Sequence, residues 1–304
     1  MDAEVAWALG AVLALLATVG FAAQLICIRA GTRNGRVIDA VLISLSVNVL
    51  LLAPLTVVLH PVHPSELFTP LSFVSFALAG VSGSLLGRLF TFKGVKALGA
   101  NLTSPILSAN VFFATAFAIV FLGESISAIH GIGIVLIVAG VTIISRESAE
   151  DNRDKPLRTV AKLITYPLLA ALCLGIEPIF ISTGFSEGTP VVPGLAVNMF
   201  AATLGFLGYM FATGSLSSMV LSPRMVAWYV GAGVATTAAF LLYFSALEIA
   251  PVVLVMPILQ VTPLFVIILS WLILPRALER LTIPLVFGAL VVVTGAALVS
   301  LSGI

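Results

Sequence analysis

The stretch Ile38-DAVLISLSVNVLLLAPLTVV-Leu59 carries a single charged side chain, Asp39, in 22 residues. Apolar residues surround it on every side, without the period-two alternation of a barrel strand. A segment of about 20 such residues spans the hydrocarbon core as a helix. An isolated strand in lipid leaves its backbone polar groups unsatisfied, so a helix is the form that fits. The rest of the chain repeats this pattern. Of its 304 residues, 60% are apolar and only 9% charged, with net charge +1. Soluble domains carry about 25% charged residues. The chain lacks the polar surface to meet water as a compact body, and its length allows roughly ten to twelve crossings.

Ten apolar runs are predicted: Trp7 to Ile28, Ile38 to Leu59, Leu71 to Phe92, Leu102 to Leu122, Ala128 to Ile144, Leu163 to Thr183, Pro193 to Thr213, Val226 to Leu247, Val252 to Leu274 and Ile283 to Leu301. The expected class is an all-α polytopic membrane protein with ten transmembrane helices. Asp2 and Glu4 precede the first run with no Lys or Arg, unlike the start of a secretory signal. Cys27 and Cys173 lie inside apolar runs and read as unpaired thiols.

The charges sort by connection. Arg29, Arg33 and Arg36, then Arg88, Lys93 and Lys96, then Arg146 to Lys162, then Arg224, then Arg276 and Arg280 account for all 14 basic residues. All belong to odd-numbered connections or the helix ends beside them. Glu66, Glu124, Glu187 and Glu248 map to the other face. The positive-inside rule then makes the odd-numbered loops cytoplasmic and puts both termini outside, in a plasma or inner membrane. Nothing in this charge pattern forms a nucleic-acid footprint.

The halves match each other. Ser104-Pro-Ile-Leu107 aligns with Met256-Pro-Ile-Leu259 at a spacing of 152, which also sets Phe92 on Phe244. A spacing of 155 sets Gly20 on Gly175, Glu124 on Glu279, Gly133 on Gly288 and Gly140 on Gly295, and a spacing of 150 sets Val47-Asn48 on Val197-Asn198. The domain reading is residues 1–145 as one five-helix repeat, 146–162 as a cytoplasmic linker and 163–304 as the second repeat. Five is odd, so the second repeat enters the membrane from the opposite face and the repeats are inverted, a common transporter design.

Three features carry a family resemblance. They are the junctions Phe92-Lys-Gly-Val-Lys-Ala-Leu-Gly-Ala100 and Phe244-Ser-Ala-Leu-Glu-Ile-Ala-Pro251, the run Leu122-Gly-Glu124 followed by Gly133 and Gly140, and Thr262-Pro-Leu-Phe265. With the helix count, they make the chain resemble the drug/metabolite transporter superfamily, in particular ten-helix members with two EamA-like repeats. The second repeat departs from that pattern, with Leu274-Pro-Arg276 in place of Leu-Gly-Glu. The resemblance implies a secondary transporter (permease or exporter) of small organic metabolites by alternating access. It implies no enzyme activity, no cofactor and no metal.

Polar residues at membrane depth are functional candidates, because translocon scales put a central charged side chain at roughly 2.5 to 3.5 kcal/mol. Glu177, beside Pro178, reads either as a proton-coupling or substrate-amine site or as a neutral acid bonded to a neighbouring helix. Arg88 reads as a partner for an anionic group or for Glu177, or as a side chain snorkelling from a helix end. Asn48, Asn110, Gln260, Asn198 and Gln24 suit either solute recognition or helix-to-helix bonding. Tyr243, Trp228 and Phe240 suit an aromatic cavity wall, and Trp7 and Trp228, at helix ends, also suit anchors at the membrane interface. Pro105, Pro178, Pro257 and Pro263 are expected gating or kink positions. His60, His63 and Glu66 have a metal-like spacing, but both histidines precede proline in a surface turn.

No G-x-x-x-x-G-K-[ST], H-E-x-x-H or G-x-S-x-G run occurs. The alternatives to a transporter are therefore a non-transporting scaffold or an intramembrane enzyme without a recognisable catalytic motif. The expected partners are a neutral or zwitterionic small solute and the lipid bilayer, with the chain as a monomer or homodimer.

Overall fold

The computed structural model describes residues 3–61, 64–122, 128–151, 157–215, 221–249, 255, 258–275 and 282–301. The described residues are helical with no strand. In chain order the long elements are α1 (Ala3–Gly31), α2 (Val37–Leu59), α3 (Pro70–Leu98), α4a (Ala100–Leu107), α4b (Asn110–Leu122), α5 (Ala128–Asp151), α6 (Leu157–Ser186), α7 (Val191–Ala212), α8 (Pro223–Ile249), α9 (Thr262–Ile273) and α10 (Ile283–Leu301). Six of these, α1, α2, α3, α6, α7 and α8, are long and apolar enough to cross a membrane within their described lengths. Apolar side chains such as Val58, Phe211 and Trp271 face outward, as in a bundle solvated by lipid.

Several boundaries differ from the sequence reading. α3 continues six residues past Phe92 to Leu98, because Lys93 lies over the Tyr166 ring and Lys96 reaches the Gly35 carbonyl, so neither charge ends the helix. It ends at Gly99, whose φ of 95° suits a residue without a Cβ. Helical backbone also runs into both ends of the 146–162 stretch, through Asp151 and from Leu157. The fourth apolar run is broken between Leu107 and Asn110, two residues after Pro105.

α3 contains a π-helical segment, Gly80–Gly87, in which the Arg88 N–H donates to the Gly83 carbonyl. Such a turn inserts one extra residue into a helix and is frequent at functional sites.

Helix pairing crosses between the halves. α1 packs on α8 and α3 on α6, each pair antiparallel: Gly20 meets Ala239 and Gly31 meets Tyr229, while Phe76 meets Gly184 and Gly94 meets Pro167. α2 packs on α8 and α7 on α3. α5 and α10 share a glycine seam. A Cβ on Gly295 would lie 2.7 Å from the Gly133 carbonyl oxygen, and one on Gly140 would lie 2.8 Å from that of Gly288. These two contacts exchange into each other when Gly133 is set on Gly288 and Gly140 on Gly295, the reciprocal pattern of a two-fold interface.

The two ends of the bundle differ in chemistry. At one, Arg29 Nη1 donates to the Val95 and Lys96 carbonyls at 3.1 Å and Tyr229 Oη donates to the Gly31 carbonyl at 3.2 Å. At the other, Thr69 Oγ1 donates to Glu187 Oε2 at 2.8 Å, and Thr189 Oγ1 donates to Ser72 Oγ at 2.8 Å. The glycine seam is the feature most easily tested. Gly295→Ala, which drives a methyl onto backbone atoms, is expected to cost about 1–3 kcal/mol, seen as a lower midpoint of thermal unfolding in detergent. Gly131→Ala, which meets open space, is expected to leave it unchanged.

Candidate functional site

The extra residue of the π segment shapes α3 beside α6 and α7. Within it, Gly83 has no side chain, and the Glu177 carboxyl of α6 occupies the space a Cβ would fill. Gly80, one turn earlier, lets the α7 backbone at Asn198 come equally close. Between α1, α3, α4a, α4b, α6, α8 and the start of α9 lies a cavity of about 190 Å³.

Six of the eight polar candidates line it: Glu177, Arg88, Gln24, Asn110, Gln260 and Tyr243. Arg88 and Glu177 are each only 5% exposed. Arg88 does not snorkel to an interface. The longer α3 leaves it ten residues, about 15 Å, from the helix end, and it does not belong with the basic face. Arg88 and Glu177 share the cavity without an ion pair within 4.0 Å. Arg88 Nη1 donates instead to Asn48 Oδ1 at 2.6 Å, and Nη2 contacts Met199 Sδ at 3.6 Å. Asn48 Nδ2 donates to the Gly233 carbonyl at 2.8 Å and to Thr237 Oγ1 at 2.7 Å.

On the acidic side, Ser84 Oγ donates to Asn198 Oδ1 at 2.7 Å, and both side chains are set against the Glu177 carboxyl. Glu177 Oε1, Asn198 Nδ2 and Asn110 Oδ1 are buried without a hydrogen-bond partner. Groups of this kind are costly unless something meets them. Asn48 and Asn198 thus stand behind the two charges, outside the cavity lining.

The prolines divide. Pro178 lines the cavity, yet α6 runs through it and through Pro167 without interruption. Pro105 precedes the break between α4a and α4b. Pro263 sits in the first turn of α9 and starts that helix rather than kinking it. Pro257 lies outside the described residues. Phe240 joins Tyr243 in the wall, with its ring 5.3 Å from Phe21, whereas Trp228 packs at Gly31 away from the cavity. His63 also lies outside the described residues, and among those described no cluster of metal-ligating side chains occurs.

Sequence reasoning missed Ser84, Thr237, Ser108, Thr262 and the π segment. Ser108 and Thr262 belong to paired helix breaks. The Ala109 N–H donates to the Ile106 carbonyl at 3.1 Å, and the Val261 N–H donates to Ile258 at 3.1 Å. The two bonds are 152 residues apart in both donor and acceptor. Extending the Pro105 and Pro257 alignment by one turn would have found them.

The signature of the EamA-like transporter family matches residues 8–146 and 161–301. The chain belongs to that family, which makes it a multi-pass membrane protein of the drug/metabolite transporter type. No curated protein matches it in sequence. Sixteen chains of solved structures do match. One, described only as the crystal structure of a protein, has a TM-score of 0.64 at 13% identity over 95% of each chain, a likeness in fold.

Removing one partner of the Arg88 and Asn48 bond leaves the other buried and unpaired, at a cost of about 1–3 kcal/mol. Arg88→Leu and Asn48→Leu are therefore expected to be non-additive. Unfolding of the double variant in detergent should show a smaller loss than the two single losses together.

Proposed function

We propose that this chain is a secondary transporter that moves a small, neutral or zwitterionic organic solute by alternating access around the Arg88 and Glu177 cavity. One observation carries the reading. Arg88 and Glu177 are both buried on the wall of one cavity with no ion pair within 4.0 Å between them, and polar side chains flank each. A solute with both a cationic and an anionic group complements such a wall, and a neutral polar solute meets its amides.

The frame is two inverted five-helix halves making ten transmembrane helices. Support comes from the cross-paired helices, the reciprocal glycine contacts of antiparallel α5 and α10, and the matched breaks at Ala109 and Val261. Inverted repeats give two equivalent closures, one toward each face. The face carrying Arg29, Arg36 and Lys96 is cytoplasmic and both termini are outside, in a plasma or inner membrane. Glu177 is the coupling group, binding a proton or the amine of the solute.

Counterflow in proteoliposomes tests this reading. After a thermal-shift screen of a metabolite library has supplied a binder, Glu177→Gln and Arg88→Gln are expected to lower exchange at least tenfold. Glu177→Gln is also expected to remove whatever pH dependence exchange shows. Wild-type rates in both variants reject the site. For orientation, a reporter enzyme active only in cytoplasm, fused after Ile304, should be inactive. Activity would reverse the assigned topology.

A further inference from the structure

Asn48 and Asn198 occupy matching positions at a spacing of 150, and each meets a glycine and a hydroxyl residue one turn apart on the opposite half. Asn48 faces Gly233 and Thr237 on α8, while Asn198 faces Gly80 and Ser84 on α3. Gly80 and Gly233 are 153 residues apart, as are Ser84 and Thr237, whereas beyond the π segment Phe92 and Phe244 are 152 apart. The one extra residue of the π segment in α3 accounts for that change of register. The hydroxyl contact of the amide is thus repeated, while the glycine meets the Asn48 side chain in one half and the Asn198 main chain in the other.

The two amides are used with opposite polarity. Asn48 gives its Nδ2 to α8 and presents Oδ1, an acceptor, to the Arg88 guanidinium. Asn198 gives its Oδ1 to Ser84, which leaves Nδ2, a donor, without a protein partner beside the Glu177 carboxyl. An amide has one acceptor end and one donor end, so committing either end to the scaffold fixes the sign of the charge the other end favours. The charges themselves are not repeated. A shift of 152 sets Arg88 on Phe240, and a shift of 155 sets Glu177 on Ala22.

We propose that Asn48 with Thr237, and Asn198 with Ser84, are a two-fold-related pair of positioning clamps. They hold the Arg88 guanidinium and the Glu177 carboxyl in place on the cavity wall, poised for a dipolar solute. The dipolar solute rests on the transport reading above, whereas the clamps are read from the protein alone.

The test uses the full chain in lipid vesicles, with arginine labelled in ¹³C and ¹⁵N, by solid-state NMR. A guanidinium held at Nη1 rotates slowly and gives separate Nη1 and Nη2 resonances. Such pairs are expected from Arg88 and from Arg29, whose Nη1 also donates to two carbonyls, and the pair absent in Arg88→Lys is assigned to Arg88. The pair should collapse to an averaged signal in Thr237→Val and Asn48→Leu and persist in Thr237→Ser. With glutamate labelled instead, the Cδ resonance absent in Glu177→Gln should shift in Ser84→Ala and Asn198→Leu and stay in place in Ser84→Thr. If Asn48→Leu or Asn198→Leu fails to fold, the hydroxyl variants carry the comparison. An Arg88 Nη pair that survives Thr237→Val, or a Glu177 signal indifferent to Ser84→Ala, overturns the proposal. Both signals are read without solute, so a failure to find transport bears on the solute reading and not on the clamps.

Discussion

A bundle in which Leu, Val, Ala, Gly and Phe make up more than half of the residues must hold one guanidinium and one carboxyl at membrane depth, and much of its interior is arranged to do so. Transfer of a lone charge into such surroundings is unfavourable by several kcal/mol. Arg88 meets this with the Asn48 acceptor and the Met199 sulfur. The Glu177 carboxyl lies in the space that Gly83 leaves open, with its Oε1 and the Asn198 Nδ2 both without a hydrogen-bond partner. These contacts require α3, α6 and α7 to approach closely. That approach uses Gly80 and Gly83 within a π-helical segment, where any side chain would fill the gap.

Around this polar centre the scaffold repeats itself. The seam of Gly133, Gly140, Gly288 and Gly295, the breaks after Ile106 and Ile258, and the two asparagine contacts all recur once in each half. The charges do not recur, since Phe240 and Ala22 stand where a second Arg88 and a second Glu177 would fall. A repeated frame suits a protein that opens equally toward either face, and an unrepeated pair of charges suits recognition of a solute with two unlike ends.

Much of this was legible in the sequence because the bilayer allows few solutions. Apolar runs such as Ile38 to Leu59 can only be helices in lipid, and the spacing of 152 around Ser104-Pro-Ile-Leu107 exposes the internal match. The scarcity of charge singled out Glu177 and Arg88. The depth of Arg88 was not legible, since Lys93 and Lys96 read as a helix end until Tyr166 and Gly35 were seen to receive them. Nor was the π segment, whose signal is only a run of small residues, Gly80 to Gly87. For Asn48 and Asn198 the sequence left solute recognition and helix-to-helix bonding both open, because an amide in an apolar run gives no sign of which way it faces. Their use as supports appears only once Thr237 and Ser84 are placed beside them.

The central claim is that the two halves move around one buried polar site, opening its two ends in turn. Pulsed electron-paramagnetic-resonance distances in lipid nanodiscs address this most directly. One spin-label pair would sit at Arg33 and Arg224 on the basic face and a second at Glu66 and Ser186 on the opposite face, with Cys27 and Cys173 replaced by serine. The expected result is two distance populations at each pair, with conditions that lengthen one pair shortening the other. Distances that stay single, or that lengthen together at both faces, would contradict alternating access.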